Sequence, residues 1–149
     1  MTAVQIFDAK QNKILTLEKI EKSDDAWKDI LTKKQYEITT RNGTESPGSC
    51  TFDGLHEPGV FRCVRCDTDL FHSSTKFESG TGWPSFFEPI SPLNVIEHPD
   101  RSFGMMRIEI LCARCGSHLG HVFDDGPRPT GKRYCMNGFA LKFVPERSL

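Results

Sequence analysis

Apolar and polar positions alternate in short bursts along this chain rather than in long helical stripes. Residues 4–7 and 14–20 carry β-branched and apolar side chains on either side of a polar stretch at 8–13, a pattern that predicts a hairpin. Ser23 then stands where a helix N-cap would, with Asp24 and Asp25 in the first turn, where the helix dipole favours acids. Trp27, Ile30 and Leu31 recur at helical spacing and are expected to pack inward. Thr32 is placed to cap a second short helix running through Tyr36 and Ile38. From residue 42 to 58 glycine, proline, serine and threonine take over, which reads as loop. Beyond it, short β-like runs at 60–65, 70–71, 103–111, 119–123 and 132–143 are separated by turns and predict a mainly β fold of antiparallel sheets. There is no βαβ alternation, no phosphate-binding glycine motif and no low-complexity tract.

Composition narrows the picture. A chain of 149 residues suits one domain around one core, and 37% hydrophobic with 26% charged residues is a globular balance. With 19 basic and 20 acidic residues the net charge is −1 and no window is strongly basic, so no partnership with nucleic acid or a membrane surface is expected. Residues 1–13 lack an apolar stretch followed by a small-residue cleavage site. No apolar run approaches the ~20 residues a membrane helix needs. The expectation is a soluble cytoplasmic protein acting as a monomer.

Six cysteines are many for a reducing compartment, where metal binding or catalysis is a better reading than disulfides. Four form two knuckles of one spacing, Cys63-Val-Arg-Cys66 and Cys112-Ala-Arg-Cys115. Two intervening residues let a tight turn aim both sulfurs at one ion, and two such turns supply the four thiolates that tetrahedral zinc takes. Gly116 permits the backbone turn after the second knuckle; Asp67 holds the equivalent place after the first. A redox dithiol would need a βαβ context and usually occurs once. Substitution of one thiolate by His118 or His121 is the other metal reading, and four buried, inert thiols the blandest. With four cysteines the shell is complete, so the site is expected to be structural.

Cys135 stands apart in Gly131-Lys-Arg-Tyr-Cys-Met-Asn137. On a strand, Arg133, Cys135 and Asn137 share a face, with Tyr134 and Met136 opposite. A guanidinium beside a thiol favours the reactive thiolate, and an amide can orient a bound oxygen. An inert cysteine on a core strand is the competing reading. In His118-Leu-Gly-His121, residues three apart face opposite ways unless a bulge, which Gly120 would permit, brings both imidazoles to one side. Otherwise the two are surface or satisfied core histidines. The segment Ser79-Gly-Thr-Gly-Trp-Pro-Ser-Phe-Phe87 combines backbone freedom with aromatics. Trp83 there walls an apolar pocket or simply fills the core.

Taken together, Arg41-Asn-Gly-Thr-Glu45, the two knuckles, Ser79 through Phe86, Cys112 through Asp124 and Gly131 through Asn137 resemble the B-type methionine sulfoxide reductases, in the family's order. The resemblance spans roughly residues 24–143. It implies a β-tent-like pair of antiparallel sheets with short N-terminal helices and a structural zinc (Zn2+) at the far end. Residues 1–22 would be an N-terminal extension and 23–149 the reductase domain. Cys135 would be the nucleophile and Trp83 the wall for the substrate methyl group. His118, His121, Arg133 and Asn137 would surround the sulfoxide oxygen. The resemblance further implies R-epimer specificity, a Cys135 sulfenic acid, its condensation to a disulfide, and recycling by thioredoxin or a similar dithiol. One position departs: where many members carry a resolving cysteine in the glycine-tryptophan segment, this chain has Thr81. Cys50, in the preceding loop, takes that role by analogy with members that resolve from such a loop, or else is idle.

Two other functions compete. A non-catalytic zinc-stabilised module would share the architecture and bind a small ligand or protein, since fold does not fix function. A zinc-ribbon nucleic-acid binder is disfavoured by the near-neutral charge.

Overall fold

The computed structural model describes residues 2–40, 43, 44, 46, 52, 57–101 and 104–149. The chain opens with the hairpin β1 (Ala3–Asp8) and β2 (Lys13–Glu18), followed by α1 (Asp24–Ile30) and α2 (Lys33–Thr40). Ser23 caps α1, its Oγ accepting the Ala26 N–H at 3.2 Å. Thr32 and Gln35 cap α2 reciprocally, backbone N–H to side-chain oxygen in both directions, at 3.2 and 3.0 Å. Trp27 is buried and Leu31 packs against the core, but Ile30 points to solvent at 60% exposure. In a seven-residue helix the inward stripe is too short to take all three.

Nine further strands follow: β3 (Gly59–Cys63), β4 (Asp69–His72), β5 (Lys76–Phe77), β6 (Ser85–Phe86), β7 (Val95–Asp100), β8 (Arg107–Cys112), β9 (His118–Phe123), β10 (Arg133–Met136) and β11 (Leu141–Pro145). They form a six-stranded antiparallel sheet in the order β5-β6-β10-β9-β8-β7 and a three-stranded one in the order β11-β3-β4. The hairpin is a third, separate ladder. The run read as one strand at 132–143 is two, β10 in the large sheet and β11 in the small one. A single 3-10 turn, Gly138–Ala140, breaks the run and lets the chain cross between sheets. The run read at 103–111 begins as a strand only at Arg107.

Aromatic rings join the two larger sheets. Phe71 of β4 stacks on Phe86 of β6 with centroids 4.3 Å apart, and Phe61 of β3 meets Phe86 edge-on at 5.0 Å. Tyr134 of β10 reaches Phe71 at 5.8 Å. All three phenylalanines are fully buried, each stabilising by about 1.5–3 kcal/mol relative to an exposed ring. Tyr134 thus faces the core, which commits its neighbours Arg133 and Cys135 to the other side of β10.

The hairpin docks beside the second knuckle. Buried Asn94 accepts the Phe7 N–H at 2.9 Å and donates to the carbonyls of Phe7 (3.0 Å) and Asp69 (2.6 Å). Arg114 holds the hairpin's exit, its Nε donating to the Glu18 carbonyl at 3.2 Å and its carbonyl accepting the Ile20 N–H at 2.8 Å. No helix among the described residues is long and apolar enough to cross a membrane.

Candidate active site and metal centre

The two knuckles repeat one hydrogen-bond pattern. Cys63 N–H donates to the Thr68 carbonyl and accepts, through its own carbonyl, the Asp67 N–H. Cys112 does the same with Ser117 and Gly116, and all four bonds are 2.9 Å. The turn needs a left-handed residue at its fifth position, supplied by Gly116 at φ +76° and by Asp67 at φ +63°. The two turns bring four sulfurs within 4.8 Å of one another, with Cys63–Cys115 and Cys66–Cys112 at 3.6 Å. Four thiolates around zinc at about 2.3 Å would stand about 3.8 Å apart, so the donor set and its spacing fit that ion. A hydrogen bond from the Cys112 thiol holds Cys66 far below its ordinary range, while burial pushes Cys63 far above. Four crowded thiols ionise together only around a cation. Cys63 ends β3 and Cys112 ends β8, so the cluster ties the small sheet to the large one. Neither His118 nor His121 belongs to it.

Three residues along β8 from Cys112, register aligns the polar residues. His98, Glu109, His121, Cys135 and Ser85 stand side by side across β7, β8, β9, β10 and β6. Opposite residues share a face, so these side chains project together. The bulge lies at Leu119: Ile110 pairs with Gly120 and Leu111 with His118, leaving Leu119 as the extra residue of β9. This shifts the alternation and brings the two imidazoles within 5.6 Å, centroid to centroid. Asn137, just past the end of β10, takes the Leu119 carbonyl through its backbone N–H (2.9 Å) and its side-chain amide (3.2 Å). Gly120 itself stays paired; it is needed because the backbone of β10 lies directly over it.

A cavity of about 210 Å³ opens here. Cys135, His121, Arg133, Asn137 and Trp83 line it, as do Thr44, Thr81, Arg107 and Phe123. Trp83 is held by a hydroxyl chain: its N–H donates to Thr81 Oγ1 at 3.3 Å, Thr81 and Ser79 hydroxyls pair at 2.8 Å, and Ser85 donates to Ser79 at 2.8 Å. Arg133 lies over the Phe123 ring at 4.5 Å and grips Asp125 with Nε (2.9 Å) and Nη2 (3.2 Å). Burial pushes the Cys135 thiol up; Arg133 and the Thr81 hydroxyl pull it down, and burial wins. The guanidinium therefore acts on the thiol as its position in the sequence suggested, but does not by itself make it a thiolate.

The histidines differ. His118 is buried beneath the site, its Nδ1 2.6 Å from Glu109 Oε2, and burial pulls its pKa down against the attraction of that carboxylate. Glu109 Oε1 also meets His98 Nδ1 at 3.1 Å. His121 lines the cavity and reaches Asp100 Oδ2 through Nε2 at 2.7 Å. Asp100, Arg107 and Glu109 escape the sequence reading, because a charge on a short strand reads as a solvated face and their partners come from other strands; Thr44 lies in a stretch that carries the family resemblance but has no role there. Cys50 lies outside the described residues.

The chain matches the SelR domain over residues 31–145. A peptide methionine sulfoxide reductase MsrB of Methanosarcina mazei is 54% identical over 128 residues, covering 86% of this chain and 91% of that protein. The MsrB of Agrobacterium fabrum is 53% identical over 131 residues, covering 88% and 97%. The MsrB of Pseudomonas fluorescens is 48% identical over 130 residues, covering 87% and 100%.

Proposed function

The chain belongs to the MsrB family of peptide methionine sulfoxide reductases, and from that membership we propose that it reduces methionine-R-sulfoxide, free or within proteins, to methionine. The observation that carries the reading is the placement of Cys135. It sits in a cavity with His121 directly across the ladder and Trp83 at the wall.

The reaction follows from those groups. The sulfoxide sulfur becomes electrophilic when its oxygen is protonated; the Cys135 thiol gives up its proton in the same step, and its sulfur attacks. Of the two histidines, His121 is the acid, since it lines the cavity while buried His118 is held neutral beneath it. Asn137 and Arg133 border the oxygen, and the apolar faces of Trp83 and Phe123 receive the methyl group, which gives the epimer preference. Oxygen passes to Cys135 and methionine leaves, so one sulfur is oxidised by two electrons and the other reduced by two. The Cys135 sulfenic acid then condenses with the Cys50 thiol, releasing water and forming a disulfide. A dithiol of the thioredoxin kind restores both thiols by exchange. Thr81 cannot serve as resolving group; its hydroxyl instead favours the Cys135 thiolate. Cys63, Cys66, Cys112 and Cys115 would hold a zinc ion, which with four thiolate ligands would supply structure rather than chemistry.

The test is methionine formation from separate R and S epimers of a blocked methionine sulfoxide, with dithiothreitol. Turnover of R alone, abolished by Cys135→Ser, is expected. Cys50→Ser should keep dithiothreitol activity and lose recycling by thioredoxin. No turnover of either epimer by reduced, zinc-loaded protein would replace this reading with a non-catalytic binding module.

A further inference from the structure

The two histidines of the site are gripped by opposite nitrogens. Glu109 takes Nδ1 of His118, and Asp100 takes Nε2 of His121. Asp100 ends the edge strand β7, in register with Arg107, and reaches diagonally across β8 to the imidazole. With Nε2–H donated to a carboxylate at 2.7 Å, Nδ1 is the ring nitrogen left for a ligand in the cavity. Resting on the function proposed above, we propose that Asp100 is a positioning residue for the reaction: it fixes the orientation and tautomer of His121 and so presents Nδ1 to the sulfoxide oxygen.

The charges facing His121 support the assignment. From β8, the Arg107 guanidinium sits 3.4 Å from Asp100 and helps hold the carboxylate in place. Glu109, directly across the ladder, is already engaged by His118 and His98. On β10, Arg133 is engaged by Asp125. Asp100 is thus the acid that touches the imidazole itself, and it comes from a strand outside every motif in the sequence. The same logic separates the histidines. His118, tied by Nδ1 to a buried carboxylate and away from the cavity, is a support; His121 is the moving part.

The experiment uses the full chain, zinc-loaded and pre-reduced, in single-turnover reduction of a blocked R-sulfoxide. Asp100→Asn should lower the chemical step about 10- to 100-fold, the scale of general-acid effects. Substrate KM and the thermal midpoint should change little. Asp100→Glu, which restores the charge, should recover part of the rate. Nitrogen-15 spectra of labelled protein should show His121 protonated at Nε2 in its neutral form, and mixed tautomers in Asp100→Asn. A wild-type rate for Asp100→Asn would overturn the inference, as would an Nδ1–H tautomer in the wild type. If Asp100→Asn fails to fold, the wild-type spectrum and Asp100→Glu decide. An inactive wild type with His121 in the expected tautomer would instead refute the proposed function and leave the placement of Asp100 intact.

Discussion

Gly120→Ala tests how closely the strand that carries Cys135 is held. A methyl group built on Gly120 overlaps the Cys135 carbonyl oxygen and stands 2.9 Å from the Met136 Cα and 3.0 Å from its Cε. Ordinary carbon–carbon contact lies at about 3.5–4.0 Å, so β9 and β10 must part by roughly 0.6 Å or more, and the atom in the way is backbone, which cannot rotate aside. Overpacking of this kind costs about 1–3 kcal/mol. The larger effect falls on catalysis. Cys135 shares that stretch of β10, and His121 is its partner across the ladder. A displacement of this size between reacting groups costs on the order of 10²-fold in rate. Urea unfolding and kcat/KM for the blocked R-sulfoxide, measured together, separate the two effects. The expected result is a midpoint lowered at unchanged slope and a fall in kcat/KM far beyond what lost folded protein explains. A variant with kcat/KM within about twofold of wild type would refute the claim that this close approach sets the position of Cys135.

Other perturbations follow from the same geometry. Cys66→Ser should release the metal and unfold the chain, because structural zinc supplies about 10–16 kcal/mol in small domains, comparable with a whole domain's stability; a colorimetric zinc assay and circular dichroism check it. Asn94→Ala leaves the Phe7 N–H without its acceptor, at a cost of about 1–3 kcal/mol; hydrogen exchange in β1 should quicken while kcat holds. Arg133→Met removes a cation that lowers the Cys135 pKa, so the thiol's alkylation by iodoacetamide should require higher pH than in wild type. Coincident alkylation curves for Cys135, followed by peptide mass spectrometry, would refute that last effect.

Local chemistry was legible in the sequence and long-range partnership was not. The caps at Ser23 and Thr32 and the two knuckles are written within six residues each, and the structure reproduces them. The run at 132–143 misled because Gly138 sits between two apolar stretches of equal β character, and nothing local says that they enter different sheets. Strand β7 was invisible for a physical reason. As the edge of the large sheet it carries Glu97, His98, Pro99 and Asp100 in place of an apolar alternation, and proline is tolerated at an edge. Missing β7 meant missing Asp100 and the support of His121. The meeting of His118 with His121 depended on a bulge that the sequence allowed at Gly120 and the chain placed at Leu119.

The separation of the four-cysteine cluster from the cavity has a consequence for redox traffic. Each turnover of the proposed reaction creates a sulfenic acid, a species that captures whatever thiol reaches it first. From the Cys135 row to Cys112 is three residues along β8 and two strands across, about 14 Å between Cα atoms at ordinary strand spacings, twice the reach of a disulfide of about 7 Å. Cys135 therefore stands out of disulfide reach of Cys112 and of the sulfurs gathered around it. A protein that handles oxidised sulfur many times over can thus be built on cysteine without consuming its own framework.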